Sequence, residues 1–479
     1  MLAAASLALL AARLYASSRI GFGDSEALYA SYALHPQPAY LDHPGLIGVV
    51  ARAVGDGTAP SPERAHVVTS LLATLVPWAM AAACRACGAT WRRSFAAAVI
   101  VALVPEMAIG LFAMTPDLLL VLSWTGALAL AAMGLRAPVG GGRAAFAFAG
   151  TGLLAGIAAA SKVSGVLLLA ALAVAYASRS ARAHARTLAP WAGIAAGLVV
   201  IAPVVAFEAR MGWPLLRHRL IETQTGAGFS LRNAGALAGG QLVYLSPPMV
   251  VMTAYAASAA WRGKSDAVGA LLLSSCAVPA TALVPLCLWS PVAEPHWVAP
   301  ALLALAPAMA RADAGPPRRL VVASGAIAGA MVAAVHAWVL VPQAVRLAPA
   351  SYDARIDLAN ELYGWPDAVR AVRQEAELAH MDAVVVGPHW VVCGQLEAAL
   401  RNNPPVGCDT PVHDDFDGWL PRERWRAADT IVWVTDGRFG PPPDLPTHTT
   451  LRTRQVAIRR GGRVVRTFTI SVLTRRAMG

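Results

Sequence analysis

Long apolar runs separated by short polar intervals repeat along this chain as far as residue 342. The runs are about 2–18, 64–84, 94–112, 116–135, 145–161, 163–178, 188–208, 239–260, 266–288, 297–311 and 319–341. A helix that crosses a bilayer needs roughly 20 predominantly apolar residues. The pattern predicts a polytopic α-helical membrane body of about eleven transmembrane helices. Residues 2–18 read as the first of these and not as a signal peptide, because no basic stretch precedes them and many spans follow.

The basic residues give the body an orientation. Arg85, Arg92 and Arg93 follow the second run, and Arg136 and Arg143 the fourth. Arg179, Arg182 and Arg186 follow the sixth, Arg262 and Lys264 the eighth, and Arg311, Arg318 and Arg319 the tenth. Every second loop is thus basic, which marks those loops as cytoplasmic. The N-terminus is expected inside. The intervals 21–46, 209–238 and 289–296, and everything after 342, are expected outside. The net charge of +11 therefore serves topology and does not point to nucleic acid. Only 14% of the 479 residues are charged and 57% are hydrophobic, which excludes an ordinary soluble domain.

After 342 the pattern changes to that of a small α/β domain, 343–479. Residues 381–387 (MDAVVVG) and 430–435 (TIVWVT) read as buried strands, with a helix around 394–401. Residues 456–460 and 464–472 flank Gly461-Gly462 as a hairpin. Cys393 and Cys408 lie in this part and can bond if it is exported. Cys84 and Cys87 form a C-x-x-C with no second pair or nearby His, and read as small residues at a helix end.

The first polar interval, 21–46, collects Asp24, Glu26, His35, Asp42 and His43 beside the membrane. Ionisable groups at that level mark function. One carboxylate there can act as general base toward a hydroxyl, while a second carboxylate and a histidine hold it, bind substrate or hold a metal. The loop by itself leaves these roles open. The 209–238 interval, with Arg217, His218, Arg219, Glu222 and Trp213, suits either an amphipathic segment at the lipid headgroups or a solvated loop.

The residues of this loop also carry a resemblance. Residues 26–29 (EALY) and 40–44 (YLDHP) are similar to the first external loop of the bacterial dolichyl-phosphate-mannose–protein mannosyltransferase-like proteins, a group that includes the lipid A aminoarabinose transferases. Further segments fit in order. Thr115-Pro116-Asp117 resembles their P-D motif, 152–162 (GLLAGIAAASK) their G-x-x-x-G…S-K segment, and 294–301 (EPHWVAPA) their E-P-x-W-x-A-P-A segment. Tyr363-Gly364-Trp365 resembles the start of their external C-terminal part.

The resemblance implies a GT-C fold: a transmembrane domain, 1–342, with its catalytic first external loop at 19–46, and an extracytoplasmic C-terminal domain. It implies an inverting glycosyltransferase that moves a hexose or pentose from a polyprenyl-phosphate donor to a lipid, glycan or protein hydroxyl outside a bacterial inner membrane. The donor arrives from the bilayer, so no nucleotide-sugar domain is expected. No cofactor is required, and a divalent metal is compatible with the residues. The family keeps its first acid immediately before the Glu of E-A-x-Y, where this chain has Ser25. A one-residue shift, easily accommodated in irregular backbone, makes Asp24 the expected base; otherwise the role passes to Glu26 or Asp42. Gly45 replaces the family's second proline and is expected to loosen the loop.

The resemblance further implies that Asp42 and His43 line the donor pocket. Lys162 would hold the leaving phosphate, with His43 and Arg219 assisting. Asp117 would orient the base, contact acceptor, or cap its helix with Thr115. Tyr29 would bind substrate, and Glu294 and His296 would help bind sugar or metal, or merely end a loop. Tyr40 is counted with them but also suits loop geometry. Trp297 would stack on sugar or anchor at the interface. A transporter of lipid-linked intermediates is the competing reading, though it would place charges deep within the spans. A membrane scaffold that binds through its external domain is a third.

Overall fold

The computed structural model describes residues 1–379 and 383–476. The first two residues of the 381–387 strand expectation lie outside that set. Among the described residues six helices are long and apolar enough to cross a membrane: Pro62–Ala86, Pro116–Arg136, Gly142–Ser161, Ala189–Met211, Ala267–Trp289 and Arg318–Leu340. Three further apolar runs are bent rather than straight. The breaks are 74° after Leu103, 72° after Ala177 and 99° after Tyr244. If each bent pair is one span, the number is nine. The shorter helix Leu2–Ser17 and the broken run of helices at 295–311 occupy the two remaining apolar stretches. The bends arise where helical hydrogen bonding is interrupted by proline, as at Pro105 and Pro247, or by extended backbone, as at Ser178.

The G-x-x-x-G segment has a structural purpose. Gly152 and Gly156 pack against Gly193 and Gly197 of Ala189–Met211, and a Cβ on Gly152 would stand 1.6 Å from the Gly193 carbonyl oxygen. Only hydrogen at these positions lets the two backbones approach so closely, the usual basis of small-residue helix contacts in membranes.

The C-terminal part carries one five-stranded sheet. Its strands are β1 (Ala383–Gly387), β2 (Val406–Cys408), β3 (Thr430–Asp436), β4 (His448–Arg460) and β5 (Arg463–Arg475), in the order β2-β1-β3-β5-β4. β1 pairs in parallel with β2 and β3; β5 runs antiparallel to β3 and β4. Gly461 and Gly462, at φ +55° and +90°, make the β4–β5 turn. β4 is far longer than 456–460. Its first half, HTTLRTRQ, is an exposed edge whose arginines hide the strand pattern and guard it against pairing with other chains.

Tyr363-Gly364-Trp365 joins this sheet to the helical body. The Tyr363 hydroxyl donates to the Val339 carbonyl at 2.6 Å, Gly364 sits at φ +86°, and Trp365 opens the helix Trp365–Leu378. Arg460, almost fully buried, donates to the Trp338 carbonyl and to Asn360 Oδ1, both at 2.6 Å.

The first loop does not sit apart from the C-terminal sheet. Its helix Asp24–Ser31 shares a single apolar core with β1, β3, β5 and the helices Trp365–Leu378 and Trp390–Leu400. Gly394 lies so near Leu28 that a Cβ there would be 3.1 Å from the Leu28 nitrogen. A disulfide between Cys393 and Cys408 ties that same helix to β2.

Candidate functional site

The acids of the first loop end up in three different surroundings. Asp24 opens the helix Asp24–Ser31, is buried, and pairs through Oδ2 with Arg438 Nη1 at 2.6 Å. Arg438 also holds Asp436, which in turn accepts from Arg466 Nε at 3.0 Å. Burial pushes the Asp24 carboxyl up and the Arg438 guanidinium opposes it. Glu26 is also buried. It accepts from the Gly23 amide at 3.0 Å and the Met114 amide at 2.6 Å, and its oxygens lie 3.1 and 3.2 Å from His66 Nε2. Glu26 thereby closes the helix start and ties it to the helix Pro62–Ala86 and to the segment just before Pro116–Arg136.

Asp42 faces solvent on one side, with its side chain 27% exposed. Oδ1 lies 2.9 Å from Arg219 Nη2, and Arg219 Nε donates to the Asp42 carbonyl at 3.3 Å. Arg219 comes from the helix Pro214–Leu220, which starts at a left-handed Trp213 followed by Pro214. The guanidinium stands 5.7 Å from the Trp297 ring centre, so Trp297 packs against a cation here. His218 approaches the same Asp42 oxygen at 3.8 Å.

His43 is buried with Nε2 2.9 Å from the Tyr29 hydroxyl. Burial, then the charges of Arg219, Lys162 and His296, push this imidazole well down, so it is neutral at pH 7. Burial and the Asp42 charge push the Tyr29 phenol up, opposed by Arg219, and Asp117 and Glu294 add to the rise. These influences place the groups around one polar centre. Lys162 ends the helix Gly142–Ser161, where its extended backbone (φ −145°) breaks the run. Its Nζ donates to Asp117 Oδ1 at 2.7 Å. Thr115 precedes the helix Pro116–Arg136, which carries Asp117, but makes no side-chain cap there; Asp117 is engaged by Lys162. Glu294 and His296 pair at 3.1 Å across the start of the 295–298 turn. The histidine hydrogen bond, first, holds the Glu294 carboxyl low.

The structure thus brings Tyr29, Asp42, His43, Asp117, Lys162, Arg219, Glu294 and His296 together, from segments far apart in sequence. Asp24 and Glu26 have their contacts elsewhere. Tyr40 serves the loop: its ring stacks on Tyr32 at 3.6 Å, and its hydroxyl bonds the His35 and Tyr32 carbonyls. Gly45 does not loosen the turn as expected. Its amide donates to the Pro38 carbonyl at 2.8 Å, a bond that a proline would remove. Among the described residues no group of three or more His, Cys, Asp or Glu side chains is placed to hold a metal ion.

Sequence reasoning passed over several contributors. Glu106 lies within electrostatic reach of Asp117 and Lys162. His66 holds Glu26. Each is an ionisable residue inside an apolar run, and that alone is the signal that could have found them. Arg438 and Asp415 lie 414 and 374 residues beyond Asp24 and Leu41, which they contact, and no local pattern marks them.

Asp415 gives the site a pH dependence. Burial raises its carboxyl to about 7, with the Leu41 amide opposing and the Asp42 charge adding to the rise. Glu361, next to Asp24, shifts the same way, again chiefly through burial. A carboxyl raised on folding contributes stability that is complete below its unfolded value, near pH 4, and is lost as pH rises through the folded value. The histidines held neutral, His43 and His389, act in the opposite sense but below about pH 6.5. The thermal midpoint should therefore fall between pH 6.5 and 8, and the fall should be shallower in Asp415→Asn. A midpoint that rises over this window in the wild-type protein contradicts the assignment.

Residues 61–207 match the family described as dolichyl-phosphate-mannose-protein mannosyltransferase. No curated protein matches the chain. Among solved structures, ArnT from Cupriavidus metallidurans in the apo state aligns over 97% of this chain and 97% of its own, at 14% identity and a TM-score of 0.66. The same enzyme bound to undecaprenyl phosphate aligns over 100% and 98%, at 16% identity and a TM-score of 0.64. The archaeal oligosaccharyltransferase AglB from Archaeoglobus fulgidus, in complex with an inhibitory peptide and a dolichol-phosphate, aligns over 89% and 69%, at 12% identity and a TM-score of 0.48. The chain is a multi-pass membrane protein of GT-C fold, similar to the dolichyl-phosphate-mannose–protein mannosyltransferases across 61–207 and to ArnT in fold along nearly its whole length.

Proposed function

We propose that this protein is an inverting glycosyltransferase. It moves a hexose or pentose from a polyprenyl phosphate to a hydroxyl of a lipid, glycan or protein on the extracytoplasmic side of a bacterial inner membrane. The observation that carries this reading is the pairing of Asp42 with Arg219 and of Lys162 with Asp117 around one polar centre on a membrane helical body. Lysine and arginine there suit a lipid phosphate, and a part-exposed carboxylate suits an acceptor hydroxyl. The fold adds support, since ArnT was solved with undecaprenyl phosphate. The disulfide of the C-terminal part agrees with an oxidising compartment.

In this mechanism the acceptor oxygen attacks the anomeric carbon and its proton passes to Asp42. The bond from that carbon to the phosphate oxygen breaks on the opposite face, and its electron pair leaves with the polyprenyl phosphate. Lys162 and Arg219 stabilise that charge. Attack from one side with departure from the other inverts the anomeric centre without a covalent intermediate. His43, neutral and fixed by Tyr29, orients the donor by hydrogen bonding. We take Asp42 as base because it is the part-exposed acid beside Arg219, whereas Asp24 and Glu26 are buried and face Arg438 and His66.

The test uses the full chain in liposomes with polyprenyl-phosphate-linked mannose or aminoarabinose and envelope extract as acceptor. The expected result is acceptor-dependent release of polyprenyl phosphate, with undecaprenyl phosphate inhibiting. Absence of both transfer and undecaprenyl-phosphate binding would exclude the proposal.

A further inference from the structure

We infer that Asp415, in the C-terminal part, is a positioning residue for the Asp42-His43 turn, so the C-terminal part sets the geometry of the transfer site. The inference rests on the function proposed above. Asp415 opens the short helix Asp415–Trp419, and its two oxygens divide their work. Oδ1 accepts from the Leu41 amide at 3.1 Å, and Oδ2 accepts from the Tyr32 hydroxyl at 3.0 Å. Leu41 immediately precedes Asp42.

The turn it grips is tightly made. The Tyr40 amide donates to the His43 carbonyl at 2.9 Å, and Ala39 and Pro44 form an isolated bridge. Leu41 and Asp42 are therefore the tip of a small hairpin, and the Leu41 amide is the tip group turned toward the C-terminal part. Tyr32 carries the other end of the grip, since Tyr40 stacks on it with their rings 6° from parallel. The same short helix sends Trp419 onto His35 at 4.1 Å, and His35 Nε2 lies 2.7 Å from Glu397. Trp419 and Glu397 hold the start of the turn, and Asp415 holds its tip.

The acid therefore acts through the backbone of its neighbour. Releasing the Leu41 amide frees the tip to move, and a displacement of about 1 Å at a reacting group can reduce rate by ~10²-fold. Lys162 and Asp117 belong to other helices and are untouched, so affinity for the lipid phosphate should persist. Asparagine at this position still offers Oδ1 to the Leu41 amide, whereas leucine offers nothing.

The experiment compares Asp415→Leu, Asp415→Asn and Tyr32→Phe in the full chain. Transfer kinetics are read beside amide hydrogen exchange at Leu41. Asp415→Leu should lose about 10- to 100-fold in kcat with KM for the polyprenyl-phosphate sugar within about threefold. It should also speed exchange at Leu41. Asp415→Asn should restore most of kcat and slow exchange again, and Tyr32→Phe should lose a few-fold in kcat only. Wild-type kcat in Asp415→Leu, or equal loss in the Asn and Leu variants, overturns the inference. If Asp415→Leu fails to fold, the Asn and Phe variants decide on the same readouts. If the wild-type protein shows no transfer, the proposed function fails, and unchanged exchange at Leu41 separately overturns the positioning role.

Discussion

Asp42→Asn should reduce sugar transfer about 10²- to 10⁴-fold, the range associated with a positioned general base, while binding of undecaprenyl phosphate is retained. The amide keeps the shape and the approach to Arg219 but cannot take the acceptor proton. Asp24→Asn should behave differently. It leaves Arg438 facing a neutral partner within a buried network that still holds Asp436 and Arg466. Breaking one partner of a buried pair costs roughly 3–5 kcal/mol, so the loss should appear as a lowered thermal midpoint and reduced folded protein. Glu26→Gln should do the same, since it disturbs the contacts with Met114 and His66. The discriminating measurement is kcat per folded molecule in all three variants. Normal turnover in Asp42→Asn, with turnover lost in Asp24→Asn at an unchanged midpoint, would reassign the base to Asp24.

These different outcomes turn on something only the folded chain reveals. Asp24, Glu26 and Asp42 look equivalent in sequence: acids in one polar interval. The helix Asp24–Ser31 separates them. Its two acids are buried against polar partners, Asp24 with Arg438 and Glu26 with His66 and the Met114 amide, while Asp42 stays on the turn after it. The helical body was readable because apolar runs of bilayer length leave little conformational choice. So was the joining of Asp117, Lys162, Glu294 and His296 with the first loop, because alternating spans put all of them at one end. The bends after Leu103 and Tyr244 were not, since a bent pair and a straight span have the same hydropathy. Nor was β4, whose outward arginines break the apolar alternation. Long-range pairs such as Asp24–Arg438 and Asp415–Leu41 leave no local trace, because a salt bridge or a clamp depends on where the chain returns.

That return also changes what the C-terminal part is. A boundary drawn at 343 follows composition, but the core crosses it: Leu28, Tyr29 and Tyr32 pack in the same cluster as Val372, Leu396 and Phe468. The loop therefore takes its shape from both sides. The helical body supplies Lys162, Asp117 and the amide at Met114, and the C-terminal part supplies Arg438 and Asp415.

Lys162→Met should lower kcat/KM for the polyprenyl-phosphate donor about 10²- to 10³-fold, the usual cost of removing one preorganised group that stabilises transition-state charge. Lys162 Nζ is held at 2.7 Å from Asp117, and its side chain is only 12% exposed, so the cation is already desolvated and aimed before donor arrives. Leaving-group charge develops on a phosphate that has no general acid in this scheme, so the ammonium carries more of the barrier than it would in a glycosidase. Inhibition by undecaprenyl phosphate should weaken in parallel, because product and leaving group present the same phosphate. Lys162→Arg should recover only part of the rate: guanidinium keeps the charge, but its planar fork differs from a compact ammonium. Asp117→Asn should lose less than Lys162→Met, since the cation remains while its aim is relaxed. A lysine that merely reached for the interface would tolerate methionine. Unchanged transfer and unchanged inhibition in Lys162→Met would therefore remove Lys162 from the mechanism and leave Arg219 as the group to test against the phosphate.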